Sequence, residues 1–209
     1  TQAPPPPEIP TLISVDILSN DNRSPFSGST PTTDGHIVPL QGQFGEWNAI
    51  VTRSGRQTYV ENELRNGLQE KTGISVVVNS NSAQHYTYGY YIGGNKTNVG
   101  EDVIGLATAQ NTGSIVDSYF TGLDDSKVYT MRMFGQHLNR PGDGSINFAR
   151  FGVNGDKKDT GPDNATCSWY SVAPSQGRID FSLEYINPTN PKEYASLGGF
   201  QLQEEPGTK

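Results

Sequence analysis

The chain has 209 residues, of which 24 are Gly and 14 Pro; 18% are charged, and the formal net charge is −7. With 22 acidic residues against 15 basic ones and no Lys/Arg cluster to track a phosphate backbone, the sequence argues against nucleic acid as a partner. Cys167 is the single cysteine, which rules out an intrachain disulfide and a Cys-based zinc site and fits folding in a reducing compartment.

The chain opens on "TQAPPPPEIP". Pro4, Pro5, Pro6 and Pro7 fix φ and remove N–H donors, so residues 1–10 read as a polyproline II arm that lies over a surface instead of joining a sheet. This opening has neither the basic start nor the apolar stretch of a secretory signal, and no apolar run nears the roughly 18 residues that would span a bilayer. If Thr1 follows a removed initiator methionine, the expectation is a chain made in a cytoplasm, without membrane insertion; a chain whose signal peptide had been cleaved would read the same.

The body, residues 11–205, starts at "TLISVDIL", where Ile13, Val15 and Ile17 alternate with Ser14 and Asp16. Residues 19–35 are dense in Ser, Asn, Asp, Gly and Pro and read as one long loop. "HIVPL" and "EWNAIVT" follow as short strands, with Pro39 confining the first to an edge or a strand end. "ENELRNGLQEK" has Leu64 and Leu68 four apart, acidic residues early and Lys71 late, which predicts one short helix weakened by Gly67.

"GISVVVN", "HYTYGYY", "EDVIGLA", "SIVDSYF", "KVYTMRMFG", "SINFARFGV", "ATCSWYSV", "RIDFSLEYI" and "YASLGGFQLQ" complete the strands, each bounded by turn residues. The clearest alternation sets Ile179, Phe181, Leu183 and Tyr185 against Asp180, Ser182 and Glu184, a half-buried strand with one wet face. Many short strands without interleaved helices predict an all-β, antiparallel sandwich with at most one short helix. The polar "EEPGTK" reads as a tail, with residues 206–209 outside the body.

From "FTGLDDSKVYTMRMFGQHL" through "INFARFGVNGD", the chain resembles galactose-binding-like jelly-roll domains of bacterial and phage surface and virion proteins. "SVDIL", "EWNAI" and "YASLGGFQLQE" are similar to that family's first, early and closing elements, so the resemblance spans most of residues 11–205. It implies a jelly roll whose shared motifs are scaffold devices, in a family with both sugar-binding and purely structural members. Physically, Leu123 reads as a plug at the sandwich end, Asp124 and Asp125 as caps of turn N–H groups, and Asn154-Gly155 as a type I′ hairpin turn.

Catalytic chemistry finds little to work with. There is no Gly-x-Ser-x-Gly, Asp117-Ser118 lies inside a predicted strand, and His36, His85 and His137 lack a metal-ligand spacing. Asn20-Asp21-Asn22, Asp143, Asp156 and Asp159 are oxygen donors without the spacing of a calcium loop, so neither a metal nor a cofactor is expected. Two aromatic groups are candidate ligand sites: Tyr86, Tyr88, Tyr90 and Tyr91 in "HYTYGYYIGG", and Trp169-Tyr170. Rings of this kind either stack on the C–H face of a sugar or pack in a core or interface.

An acidic, disulfide-free sandwich with a proline-rich arm and no evident catalytic set fits a non-enzymatic virion component, a capsid decoration, cement or tail protein. Its partners would then be the major capsid or tail protein, or further copies of itself. The alternative is a carbohydrate-binding module, secreted or at a cell surface, that attaches to a host glycan or polysaccharide.

Overall fold

The computed structural model describes residues 11–18, 47–51, 58–80, 85–87, 102–107, 113–135, 149–160, 166–186 and 195–206. These form thirteen strands: β1 Leu12–Leu18, β2 Asn48–Val51, β3 Thr58–Glu61, β4 Ser75–Asn79, β5 His85–Thr87, β6 Asp102–Ala107, β7 Gly113–Thr121, β8 Tyr129–Gly135, β9 Ala149–Val153, β10 Asp156–Asp159, β11 Thr166–Val172, β12 Arg178–Tyr185 and β13 Ala195–Glu204. They build two sheets. One runs β11-β8-β13-β1-β2, with β6 and β5 branching from β13; the other runs β10-β9-β12-β7-β4-β3. Pairing is antiparallel except between β1 and β2. The architecture is therefore the expected all-β sandwich. No helix among the described residues is long and apolar enough to cross a membrane.

Alternation along each strand builds the core. On the inner face of the first sheet, Ile13, Leu202, Met131 and Trp169 fall in one cross-strand row and Val15, Phe200, Met133 and Cys167 in the next. All eight are buried. The second sheet answers with Val76, Phe120 and Ile179 in one row and Phe151 and Leu183 in another, also buried. The sheets meet at Phe200, whose ring lies edge-on to Phe120 at 5.2 Å and 5.5 Å from Phe181. Each such ring pair adds roughly 0.5–1.5 kcal/mol beyond the area it buries.

Strand β12 keeps the predicted division: Ile179, Phe181 and Leu183 are buried, whereas Asp180 is exposed and Ser182 and Glu184 are half-buried. The turns follow their chemistry too. Asn154 and Gly155 both have positive φ, 46° and 85°, as a type I′ turn requires, and β9 and β10 flank them as a hairpin. Leu123 is buried, Asp124 Oδ1 accepts the N–H and hydroxyl of Ser126, and Asp125 Oδ1 accepts the Gly177 N–H at 2.7 Å.

The helix expected across residues 61–71 is replaced by a folded-back loop. Leu64 N–H donates to the Ile74 carbonyl and Thr72 N–H to the Leu64 carbonyl, pairing the two ends of the segment. At its tip Asn66 Oδ1 accepts the N–H groups of Leu68 and Glu70, the local competition by which Asn displaces helical hydrogen bonds. Glu63 and Gln69 have positive φ, 53° and 65°, which a helix excludes. Leu64 is fully buried while Leu68 is 43% exposed, so the pair four apart does not share a face.

One short strand, β3, forms where none was expected, and β10 is the return arm of the hairpin that Asn154-Gly155 implied. The segment read as a polar tail also starts inside the fold: Glu204 ends β13 and Glu205 N–H donates to the Val128 carbonyl. The strand expected at "HIVPL" and the arm of Pro4, Pro5, Pro6 and Pro7 lie outside the described residues.

Candidate functional site where β10 meets β11

Among the described residues, β10 and β11 are end strands of the two sheets, and Lys158 of β10 reaches the Ser168 carbonyl of β11, which brings them side by side. Alternation in β11 separates the predicted aromatic pair: Trp169 faces inward and is 3% exposed, while Tyr170 faces outward and is 41% exposed. The two rings do not present a shared platform. Of the tyrosine group, Tyr86 lies in β5 opposite Val103 of β6, and Tyr88, Tyr90 and Tyr91 lie outside the described residues.

Lys158 joins the two edges. Its ammonium donates to the Ser168 main-chain carbonyl on β11 and sits 5.2 Å from the Trp169 ring centre and 6.0 Å from that of Tyr170. Lys157, beside it on β10, pairs with Glu184 at 2.5 Å. One residue past Tyr170 the β11 register slips, with Ser171 at a positive φ of 51°. The Glu205 carboxylate holds this bulge, accepting the Ser171 N–H at 2.6 Å, the Ser171 hydroxyl at 3.1 Å and the Thr130 hydroxyl at 2.7 Å.

A polar row crosses the outer face of the same sheet. Cross-strand pairing aligns Ser168, Arg132, Gln201 and Ser14 from β11 to β1. Arg132 and Gln201 are 2% and 3% exposed. Arg132 Nε donates to Ser168 Oγ at 3.3 Å and Gln201 Nε2 to Ser14 Oγ at 3.0 Å, while buried Gln201 Oε1 has no hydrogen-bond partner among the described residues. Asp16 and Thr130 are buried on the same face, as is Phe134, whose ring lies 6.2 Å from that of Trp47.

Reactive side chains in the described region serve the scaffold. Ser118 is fully buried; its hydroxyl accepts the Asn79 N–H at 2.8 Å and donates to the Asn79 carbonyl. Asp117 takes a positive φ of 47° at an irregular stretch of β7. Burial pushes the Cys167 thiol up to about 11, although the nearby Lys158 charge pulls it down. Asp159 receives two hydrogen bonds from Arg150, at 2.7 and 2.9 Å, which hold its carboxyl below the usual range. Asp156, the other acidic residue of β10, is exposed. No group of three metal-ligating side chains occurs among the described residues. Asn20, Asp21, Asn22, His36, His137 and Asp143 lie outside them.

Sequence reading overlooked Lys158, Glu205 and Arg132. Lys158 sits in a four-residue strand too short to alternate visibly, and Glu205 lies in a segment that resembles a tail. The one available signal for Arg132 was its position between Met131 and Met133 in a strongly apolar strand. No family model, curated protein or solved structure matches this chain.

Proposed function

We propose that this chain is a non-enzymatic structural subunit of a virion, a capsid decoration, cement or tail component made in a host cytoplasm. In this reading the jelly-roll body docks on the major capsid or tail protein or on further copies of itself, and Pro4, Pro5, Pro6 and Pro7 stiffen the arm that reaches a neighbour. The observation that carries the proposal is the use made of reactive groups: Ser118 bonds the Asn79 backbone and Asp159 clasps Arg150. Side chains committed to holding strands together support a rigid building block. The test is incorporation into particles of the full chain and of a variant lacking residues 1–10. The full chain is expected to co-sediment with particles and the variant to be lost from them; equal incorporation of both would refute the docking arm.

One observation favours a second reading, a carbohydrate-binding module for host or polysaccharide attachment. Tyr170 is 41% exposed beside the Lys158 ammonium and Ser171, and offers a ring for a sugar face with polar neighbours for its hydroxyls. Tyr86, Tyr88, Tyr90 and Tyr91 would extend such a surface only with their rings exposed in the free protein. Calorimetric titration against a panel of glycans tests this reading. Binding that weakens in Tyr170→Ala supports it, and no heat with any glycan counts against it.

A further inference from the structure

We propose that Asn154 is a site of spontaneous deamidation in the folded protein, and that the fold shields the other Asn-Gly pair of the sequence, Asn66-Gly67, from the same reaction. Glycine after asparagine favours this chemistry because no side chain obstructs the attacking nitrogen. The Gly155 main-chain nitrogen gives up its proton to hydroxide and attacks Asn154 Cγ. The new C–N bond closes a cyclic imide, and Nδ2 departs as ammonia with a proton from water. Water then opens the ring at Cγ to give aspartate, or at the main-chain carbonyl to give isoaspartate. Water is consumed and ammonia released, with no oxidant or reductant.

The two pairs differ in what holds the nucleophile. The Gly67 N–H donates to the Leu12 carbonyl at 2.9 Å, while Asn66 Oδ1 accepts the N–H groups of Leu68 and Glu70 and its Nδ2 donates to Glu70 Oε2 at 3.1 Å. Both reacting groups are therefore committed, in half-buried residues. In the β9–β10 hairpin, Asn154 and Gly155 are exposed, and the space around the Gly155 Cβ position is open. No main-chain carbonyl among the described residues accepts the Gly155 N–H. Only the Asn154 side chain must be released there, from the Asp180 N–H and the Ala173 carbonyl. Either product sets a carboxylate oxygen against that carbonyl in place of the Nδ2 donor, and isoaspartate also lengthens the main chain of a tight turn. The hairpin thereby loses its tie to the loop after β11, whether the chain is a virion subunit or a sugar-binding module.

The test incubates the full chain in mildly alkaline buffer, folded and in guanidinium chloride, and follows each asparagine by peptide mapping, with isoaspartyl methyltransferase labelling to mark isoaspartate. Dividing the folded rate by the denatured rate at each site removes the effect of neighbouring sequence. That ratio is expected to be at least about tenfold larger at Asn154 than at Asn66, a difference of about 1.4 kcal/mol. Gly155→Ala should slow conversion at Asn154 and leave Asn66 unchanged. The deamidated fraction, separated by anion exchange through its added negative charge, should unfold at a lower urea midpoint than fresh protein. Equal ratios, or a larger one at Asn66, would overturn the proposed site, and an unchanged midpoint would overturn its effect on the hairpin.

Discussion

Asn154 and Asp180 hold each other from opposite sides of a turn. The Asn154 N–H donates to the Asp180 carbonyl at 2.9 Å, and the Asp180 N–H donates to Asn154 Oδ1 at 2.9 Å. Asn154 Nδ2 also reaches the Ala173 carbonyl at 3.1 Å, so one side chain ties the β9–β10 hairpin to β12 and to the loop after β11. Asparagine serves here because it tolerates the left-handed backbone and carries both a donor and an acceptor.

Asn154→Ala removes both side-chain hydrogen bonds and leaves a residue less suited to a φ of 46°. The expected cost is about 1–3 kcal/mol, read as a lower urea midpoint at unchanged slope. Asn154→Gly relieves the backbone but still loses the hydrogen bonds, so it should fall between alanine and wild type.

Gly122 has a φ of 84°, and a Cβ built on it would lie 2.5 Å from the Gly73 main-chain oxygen. Backbone cannot yield as a flexible side chain would, so Gly122→Ala is expected to cost about 2 kcal/mol or more in thermal or chemical denaturation. Gly155 also has positive φ but has open space around its Cβ position, so Gly155→Ala should cost less.

Burial holds the Cys167 thiol at about 11, so at pH 8 little of it is thiolate and reagents have poor access. A disulfide-exchange reagent should leave Cys167 unmodified in the native protein and react with it fully after denaturation. Rapid native labelling would show that the strand opens locally far more often than its burial implies.

Arg150 lowers the Asp159 carboxyl below its ordinary value of 3.8, so this pair stabilises the fold above that value. The contribution is lost as pH falls through the depressed folded value, because the folded state must then take up a proton it resists. Both side chains are more than one-third exposed, which limits the effect to about 0.5 kcal/mol. Asp159→Asn should lower stability at neutral pH and converge on wild type in acid; a constant difference across pH would show that the charge is not responsible.

The fold was legible in the sequence wherever a strand was long enough to alternate. In β12, buried Ile179, Phe181 and Leu183 flank outward Asp180 and Ser182, and the period of two survives because one face meets the core and the other water. Turn chemistry was as legible: Asn154-Gly155 and Asp124-Asp125 do what their residue types dictate. Residues 61–71 misled because the spacing of Leu64 and Leu68 is helical, while the Asn66 side chain binds backbone N–H groups and sets the loop. The candidate site was half legible. Trp169 and Tyr170 stand out as adjacent aromatics, but adjacency in a strand puts them on opposite faces. Lys158 gains its meaning only when β10 and β11, the ends of different sheets, are brought side by side.

Quantitative mass spectrometry of gradient-purified particles from the source of this sequence tests the assembly role most directly. If the proposed assembly role holds, peptides of this chain are expected in a fixed, near-integer ratio to the major capsid or tail protein, retained through successive purification steps. A chain that stays wholly in the soluble fraction while particles form without it would refute the proposed assembly role.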